Sequence, residues 1–210
     1  MPLAASITTP ERLLMQLAGS SSPLQPSPVS EDTVQRHPQL AALQAGCPRA
    51  RAAVLTEFEG IWFRFCLSLL ADPDAARDAT QETALRVLRR VHDFRGDASL
   101  RTWTLSIALN VCREIRRRRR WVSLPASLGL SQPGPGPAAK TQSREEIDRL
   151  HTWLSRLPAR QREAVTLRYL QQLSTDQTMQ VMGCASGTVK ATLAKALRNL
   201  RKMMEAEHER

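Results

Sequence analysis

Between Ser123 and Ser143 the chain reads SLPASLGLSQPGPGPAAKTQS, and this stretch constrains the fold more than any other. Its alternating prolines and glycines remove backbone donors and favour turns, so neither a helix nor a strand ladder runs through it. The chain is therefore expected to fold as two units on a flexible tether, each able to take its own position on a larger partner. A length of 210 residues is enough for two small domains, each with a modest core.

Aromatic residues make up only 4% of the chain, and runs rich in Val, Ile, Tyr and Phe are hard to find. Ala, Leu, Arg, Gln and Glu dominate, which is the composition of an all-α protein. Thirty Lys and Arg against twenty Asp and Glu leave a net charge of +10, and neutralising the phosphates of a nucleic acid is the simplest use of that excess. Cys47, Cys66, Cys112 and Cys184 stand singly, without the spacing of a zinc site or a disulfide framework; buried apolar roles are expected for them. His37, His92, His151 and His208 are equally isolated. With no nucleophile and base pair, no phosphate-binding glycine loop and no metal cluster, neither an enzyme nor a cofactor is expected. No signal-peptide pattern opens the chain, and no apolar run approaches the roughly twenty residues of a membrane span. The expectation is a cytoplasmic protein.

Residues 1–38 combine a short amphipathic stretch, ERLLMQLA, with the Ser/Pro-rich SSSPLQPSPVSED, and read as a flexible extension. From residue 39 the character changes. Val54, Leu55, Phe58, Ile61, Trp62, Phe65 and Leu69 recur at helical spacing, so one helix should bury that stripe. Asp72-Pro73-Asp74 ends it and starts another, because proline suits a first helical turn and aspartate caps free amides. In that second helix Ala75, Ala79, Leu85, Val87, Leu88 and Val91 are expected inward, while Asp74, Asp78, Gln81 and Glu82 point away. An acidic face on a basic chain suits a basic protein surface better than DNA. Gly96 allows a turn in HDFRGDASLRTW, and Asp97 or Ser99 is placed to cap the helix that follows. That helix carries Trp103, Leu105, Ile107, Ala108, Val111 and Ile115, and ends with Arg113 and Arg116 to Arg120 opposed only by Glu114. Such a cluster is a phosphate signal.

After the tether, residues 144–204 form the second unit. An amphipathic segment, EEIDRLHTWLSRL, leads to Pro158 and a helix through Leu170; Ser174 is an N-cap for a helix that Gly183 ends; a last helix starts near Ser186. This is the rhythm of a helix-turn-helix. On the last helix Val189, Leu193, Ala196 and Leu200 share one face, leaving Thr188, Ala191, Ala194, Lys195, Arg198 and Lys202 opposite and Lys190 on the flank. Small residues and cations on the outer side suit a major groove.

The segments DAARDATQETALRVLRR, FRGDASLRTW and ALNVCREIRRRRR, then RLPARQREAVTLRYLQQLS and GTVKATLAKALRNLRK, together resemble an extracytoplasmic-function sigma factor, the compact group of the sigma-70 family with regions 2 and 4 only. The resemblance implies residues 39–122 as region 2, 123–143 as linker, 144–204 as region 4, and 205–210 as a tail. It implies docking of Asp78, Gln81 and Glu82 onto core RNA polymerase. By the same likeness Phe94, Arg95, Arg101 and Trp103 belong to the loop that captures a base flipped from the −10 element, with Asn110, Arg113, Arg116 and Arg117 holding the upstream duplex edge. Flipping costs a few kcal/mol, which a pocket and a cationic cradle must offset. Thr188, Lys190, Ala191, Ala194 and Lys195 would enter the −35 major groove, and Arg168 matches a backbone contact. Promoter DNA, core polymerase and an anti-sigma factor are the implied partners.

The chain departs from the family where Leu105, Ser106 and Leu109 replace aromatic and basic residues, where Thr178 and Met179 replace an Ile-Ala pair, and where Ala191, Thr192 and Ala194 replace longer polar ones. Without a side chain that bonds a base edge, each such position at −35 forgoes about 1 to 3 kcal/mol of discrimination. Two other readings remain open on the residues alone: a helix-turn-helix regulator that works without polymerase, and a sigma-like protein that sequesters an anti-sigma factor.

Overall fold

The computed structural model describes the backbone of residues 40–122 and 142–208, with side chains over 40–119 and 149–207. The expected flexible extension and most of the expected linker lie outside the described residues. Every element among the described residues is helical. Helices α1 (Leu40–Gln44), α2 (Pro48–Leu70), α3 (Pro73–Arg90) and α4 (Leu100–Val122) make the first unit, with a 3-10 turn at Val91–Asp93. The second unit holds α5 (Gln142–Arg156), α6 (Ala159–Val165) running into a π-helical turn (Thr166–Leu170), α7 (Thr175–Met182) and α8 (Ser186–His208).

Helix boundaries follow local chemistry. Ala71 closes α2 in a left-handed conformation, its N–H donating to the Leu67 carbonyl at 2.9 Å. The Asp72 carboxylate then accepts from the amides of Asp74 (2.9 Å) and Ala75 (3.1 Å), with Pro73 in the first turn of α3. Those amides, first Ala75, together with Arg119, hold the Asp72 carboxyl below its ordinary range. Ser174 and Gln177 form a reciprocal capping box on α7. At the other end Gly183 takes φ 65°, a conformation that a side chain resists, and turns the chain into α8.

In the first unit α2 lies against both α3 and α4. Its stripe of Val54, Phe58 and Trp62 is buried with Leu43, Val87, Val91, Phe94, Leu100 and Ile107 in one apolar cluster. Phe58 and Trp62 stack at 5.9 Å with an 18° angle between rings. The expected inward set on α3 needs one correction. Leu85 is 48% exposed, and Ala76, Thr80 and Thr83 fill the inner face in its place. The two threonines can be buried because each hydroxyl donates to a carbonyl one turn back, Ala76 and Ala79 respectively, at 2.7 Å.

The two units do not stand apart. Helix α4 packs on α7, and α2 on α5, α6 and the π-helical turn. A single apolar cluster runs from Phe65, Leu69, Leu105 and Leu109 in the first unit to Leu154, Leu167, Val181 and Leu200 in the second. All four cysteines are free thiols. Cys66 and Cys112 are fully buried in that shared cluster, and the hydrogen bond with Cys66, then burial, push the Cys112 thiol well above its ordinary value.

Candidate nucleic-acid and polymerase interface

The first candidate surface is the outer face of α3. Asp78 and Gln81 are exposed there, and Glu82 is 40% exposed at its side chain while accepting from Arg86 Nε at 2.6 Å. Arg86 also grips Glu114 of α4 through two 2.8 Å bonds. This fixes Glu82 in place, holds the Glu114 carboxyl low and pushes the Arg86 guanidinium up, through Glu114 first and Glu82 second. The exposed Leu85 follows at the next turn, so Asp78, Gln81, Glu82 and Leu85 lie along one strip. An exposed apolar side chain one turn past Glu82 and two past Asp78 suits a protein-docking surface better than a phosphate-binding one. Sequence periodicity placed Leu85 inward because it falls beside the buried stripe; its spacing of seven from Asp78 was the available signal.

The second surface is the loop between α3 and α4. The side-chain amide of Gln44 on α1 donates to the carbonyls of Val91 (3.2 Å) and Phe94 (3.0 Å), clamping the loop from beneath. Phe94 is 9% exposed and packs its ring against Trp103 at 5.2 Å, tilted by 53°. It is therefore a wall of the loop, and Trp103, half-buried, is the aromatic with an open edge. Ser99 Oγ accepts from the Thr102 amide at 3.1 Å, which starts α4 and fixes the direction of Trp103. Arg95, Asn110 and Arg117 are exposed. Gln44 escaped the sequence reading because a five-residue helix is too short to show a period. Gln44→Ala is expected to remove about 1 to 2 kcal/mol of local stability, read as roughly tenfold faster amide exchange over Val91–Ser99 with the rest of the chain unchanged.

Three arginines expected on the same DNA surface point elsewhere. Arg101 Nη2 donates to Gln171 of the second unit at 3.1 Å, and burial, then the nearby Arg64, hold its guanidinium below the ordinary value. Arg113 donates through Nη2 to Glu163 Oε2 at 2.8 Å, and Arg116 Nη2 donates to Glu163 Oε1. The Glu163 side chain is only 2% exposed. Burial pushes its carboxyl up, but Arg113 and Arg116 outweigh burial and hold it below the carboxylate range.

The third surface is the outer side of α8. Thr188, Lys190, Ala191, Ala194 and Lys195 are all exposed, and Val189, Leu193, Ala196 and Leu200 are all buried. The capped α7 and left-handed Gly183 fix the angle at which α8 leaves the turn. Thr178 tucks into the α7 face fully buried, its hydroxyl donating to the Ser174 carbonyl at 2.8 Å. Arg168, half-buried, spends one donor on the Leu173 carbonyl (3.2 Å) and lies 5.9 Å from the Tyr169 ring.

Among the described residues no group of His, Cys, Asp and Glu could hold a metal ion, and no helix is long and apolar enough to cross a membrane.

Comparison with known proteins gives one family. Sigma-70 region 2 matches residues 56–122 and Sigma-70, region 4 matches residues 147–200. The ECF RNA polymerase sigma factor EcfG of Rhodopseudomonas palustris is 33% identical over 137 residues, covering 63% of this chain and 72% of that protein. The ECF RNA polymerase sigma factor SigC of Mycobacterium tuberculosis is 30% identical over 169 residues, 80% and 89% of the two chains. Among solved structures, CnrH in complex with the cytosolic domain of CnrY superposes with a TM-score of 0.62 at 20% identity, covering 80% of this chain and 95% of that one. The sigma factor RpoE of Bartonella quintana, in complex with the anti-sigma factor NepR, also gives 0.62, at 24% identity and 73% and 96% coverage. These two likenesses show the fold.

Proposed function

The chain belongs to the extracytoplasmic-function sigma factors, and from that premise we propose that it docks on core RNA polymerase through Asp78, Gln81, Glu82 and Leu85. Two cationic faces would then read DNA, the Phe94–Trp103 loop with Asn110 and Arg117 at −10 and the outer side of α8 at −35. The nucleotide chemistry belongs to the polymerase, so this chain stabilises DNA opening without covalent catalysis, and it works in the cytoplasm. Residues 39–122 act as region 2 and 144–204 as region 4.

The observation that carries this reading is the α3 strip. An exposed leucine one turn past Glu82 and two past Asp78, which is unpaired among the described residues, supports a protein-docking helix over a regulator that acts without polymerase. Readout at −35 should be weak, because Ala191 and Ala194 offer only methyl groups to base edges and leave Thr188, Lys190 and Lys195 as the polar contacts. Relatives of this fold have been solved with CnrY and with the anti-sigma factor NepR, which supports an anti-sigma partner here too. Run-off transcription from a genomic promoter library, using core polymerase with and without the chain, tests docking, recognition and opening together. New specific transcripts are expected only with the chain present; their absence, together with failure to co-elute with core polymerase, would reject the reading.

A further inference from the structure

The guanidiniums that a region 2 helix would give to DNA phosphates are occupied by a carboxylate of the chain itself. Arg113 and Arg116 lie on α4 in the first unit, and Glu163 lies on α6 in the second. Arg113 presents Nε at 3.3 Å and Nη2 at 2.8 Å to Glu163 Oε2, and Arg116 binds the other oxygen. Two guanidiniums around two anionic oxygens is the arrangement in which arginine holds a phosphodiester. Arg160, one turn before Glu163 on the same helix, reaches only 3.9 Å and remains largely exposed.

Polar ties surround this pair. Arg113 Nη2 also reaches the Met182 carbonyl of α7 at 3.5 Å, Arg101 reaches Gln171, and Arg162 Nη1 crosses back to the Leu69 carbonyl at the end of α2 at 2.9 Å. Leu105 and Leu109, which stand where the family carries aromatic and basic residues, are fully buried in the cluster shared by both units. The closed arrangement is not fully satisfied, however. Arg116 Nη1 is buried and has no acceptor among the described residues, so the carboxylate engages only part of the donors that a phosphate run could use.

We propose that Glu163 is an internal stand-in for DNA phosphate: it closes the second unit over Arg113 and Arg116, and the chain reads DNA only after this carboxylate has been displaced. The proposal rests on the reading of α4 as a DNA-holding helix. Closure and DNA binding then compete for the same two side chains, and a partner that separates the units raises DNA affinity without touching DNA.

The test uses the full chain as wild type, as Glu163→Gln and as Gln171→Ala, with a short fluorescein-labelled mixed-sequence DNA as probe. Glu163→Gln is expected to bind the probe at least about tenfold more tightly in fluorescence anisotropy and to show a larger radius of gyration by small-angle scattering. Gln171→Ala should shift both in the same direction by less, and wild type should expand when saturated with DNA. Unchanged affinity and radius in a folded Glu163→Gln overturn the proposal. If that variant fails to fold, the wild type alone decides, since a chain that binds the probe while keeping its closed radius also overturns it. Transcription assays with core polymerase run in parallel. Wild type that initiates while showing no expansion sinks only the latch, whereas an expanding chain that neither initiates nor co-elutes with core polymerase sinks the sigma-factor reading.

Discussion

Trp62→Ala is expected to lower the unfolding free energy by about 3 to 5 kcal/mol, the largest loss available from a single side chain here. Trp62 is fully buried, stacked on Phe58, in the cluster that also holds Val87, Val91 and Phe94. Removing the indole leaves a cavity in the cluster that holds Phe94 and Leu100 and supports Trp103. Against a typical domain stability of about 5 to 15 kcal/mol, such a loss removes much of the margin. The indole N–H has no acceptor among the described residues, so Trp62→Phe forfeits no hydrogen bond and should cost only about 1 kcal/mol through its smaller volume. Urea unfolding measures both. The midpoint of the alanine variant should fall steeply while the phenylalanine variant stays near wild type, and equal losses would mean that packing around Trp62 is not what holds this unit.

Asp78→Arg should weaken retention of core polymerase by about 10- to 100-fold while leaving the fold intact. The side chain is exposed, and it makes no ion pair among the described residues, whereas Asp74 pairs with Arg77 and Glu82 with Arg86. Reversing its charge therefore disturbs nothing internal. At a docking face it sets like charges against one another, and such a juxtaposition costs several kcal/mol when partly desolvated. The measurement is co-elution or surface-immobilised binding to core polymerase at physiological salt, beside a thermal melt of the free variant. Undiminished binding with an unchanged melt would remove Asp78 from the docking strip.

The sequence made the helix boundaries legible because they depend on neighbours in the chain. Asp72-Pro73, the Ser174 cap and Gly183 act within one turn of themselves, and the structure has each doing what its chemistry dictates, with Gln177 completing the Ser174 cap. The inward and outward sides of α8 were legible for the same reason, as a strict helical period. Leu85 was not, because on α3 the buried face is broader in alanine and threonine than in leucine, so apolarity alone misassigned the edge of the stripe. Phe94 was read as part of a DNA-capturing loop without regard to which ring was exposed; only the packing of Phe94 on Trp103 distinguishes wall from edge. The pairing of Arg113 and Arg116 with Glu163 lay beyond the sequence altogether. Periodicity says that a residue faces inward, never which other surface it will meet, and a Pro/Gly stretch says that two units are separable without saying that they separate.

The apolar cluster that passes without a break from Phe65 and Leu109 to Leu154 and Leu200 gives the closed form a thermal character of its own. Parting the units wets that surface, so the parting carries a positive heat-capacity change, and the attraction it opposes fades on cooling. A hinge held by polar contacts alone would loosen mainly with heat. One held by this cluster would loosen in the cold as well, and Arg113 and Arg116 would then be freed for phosphate more often at low temperature.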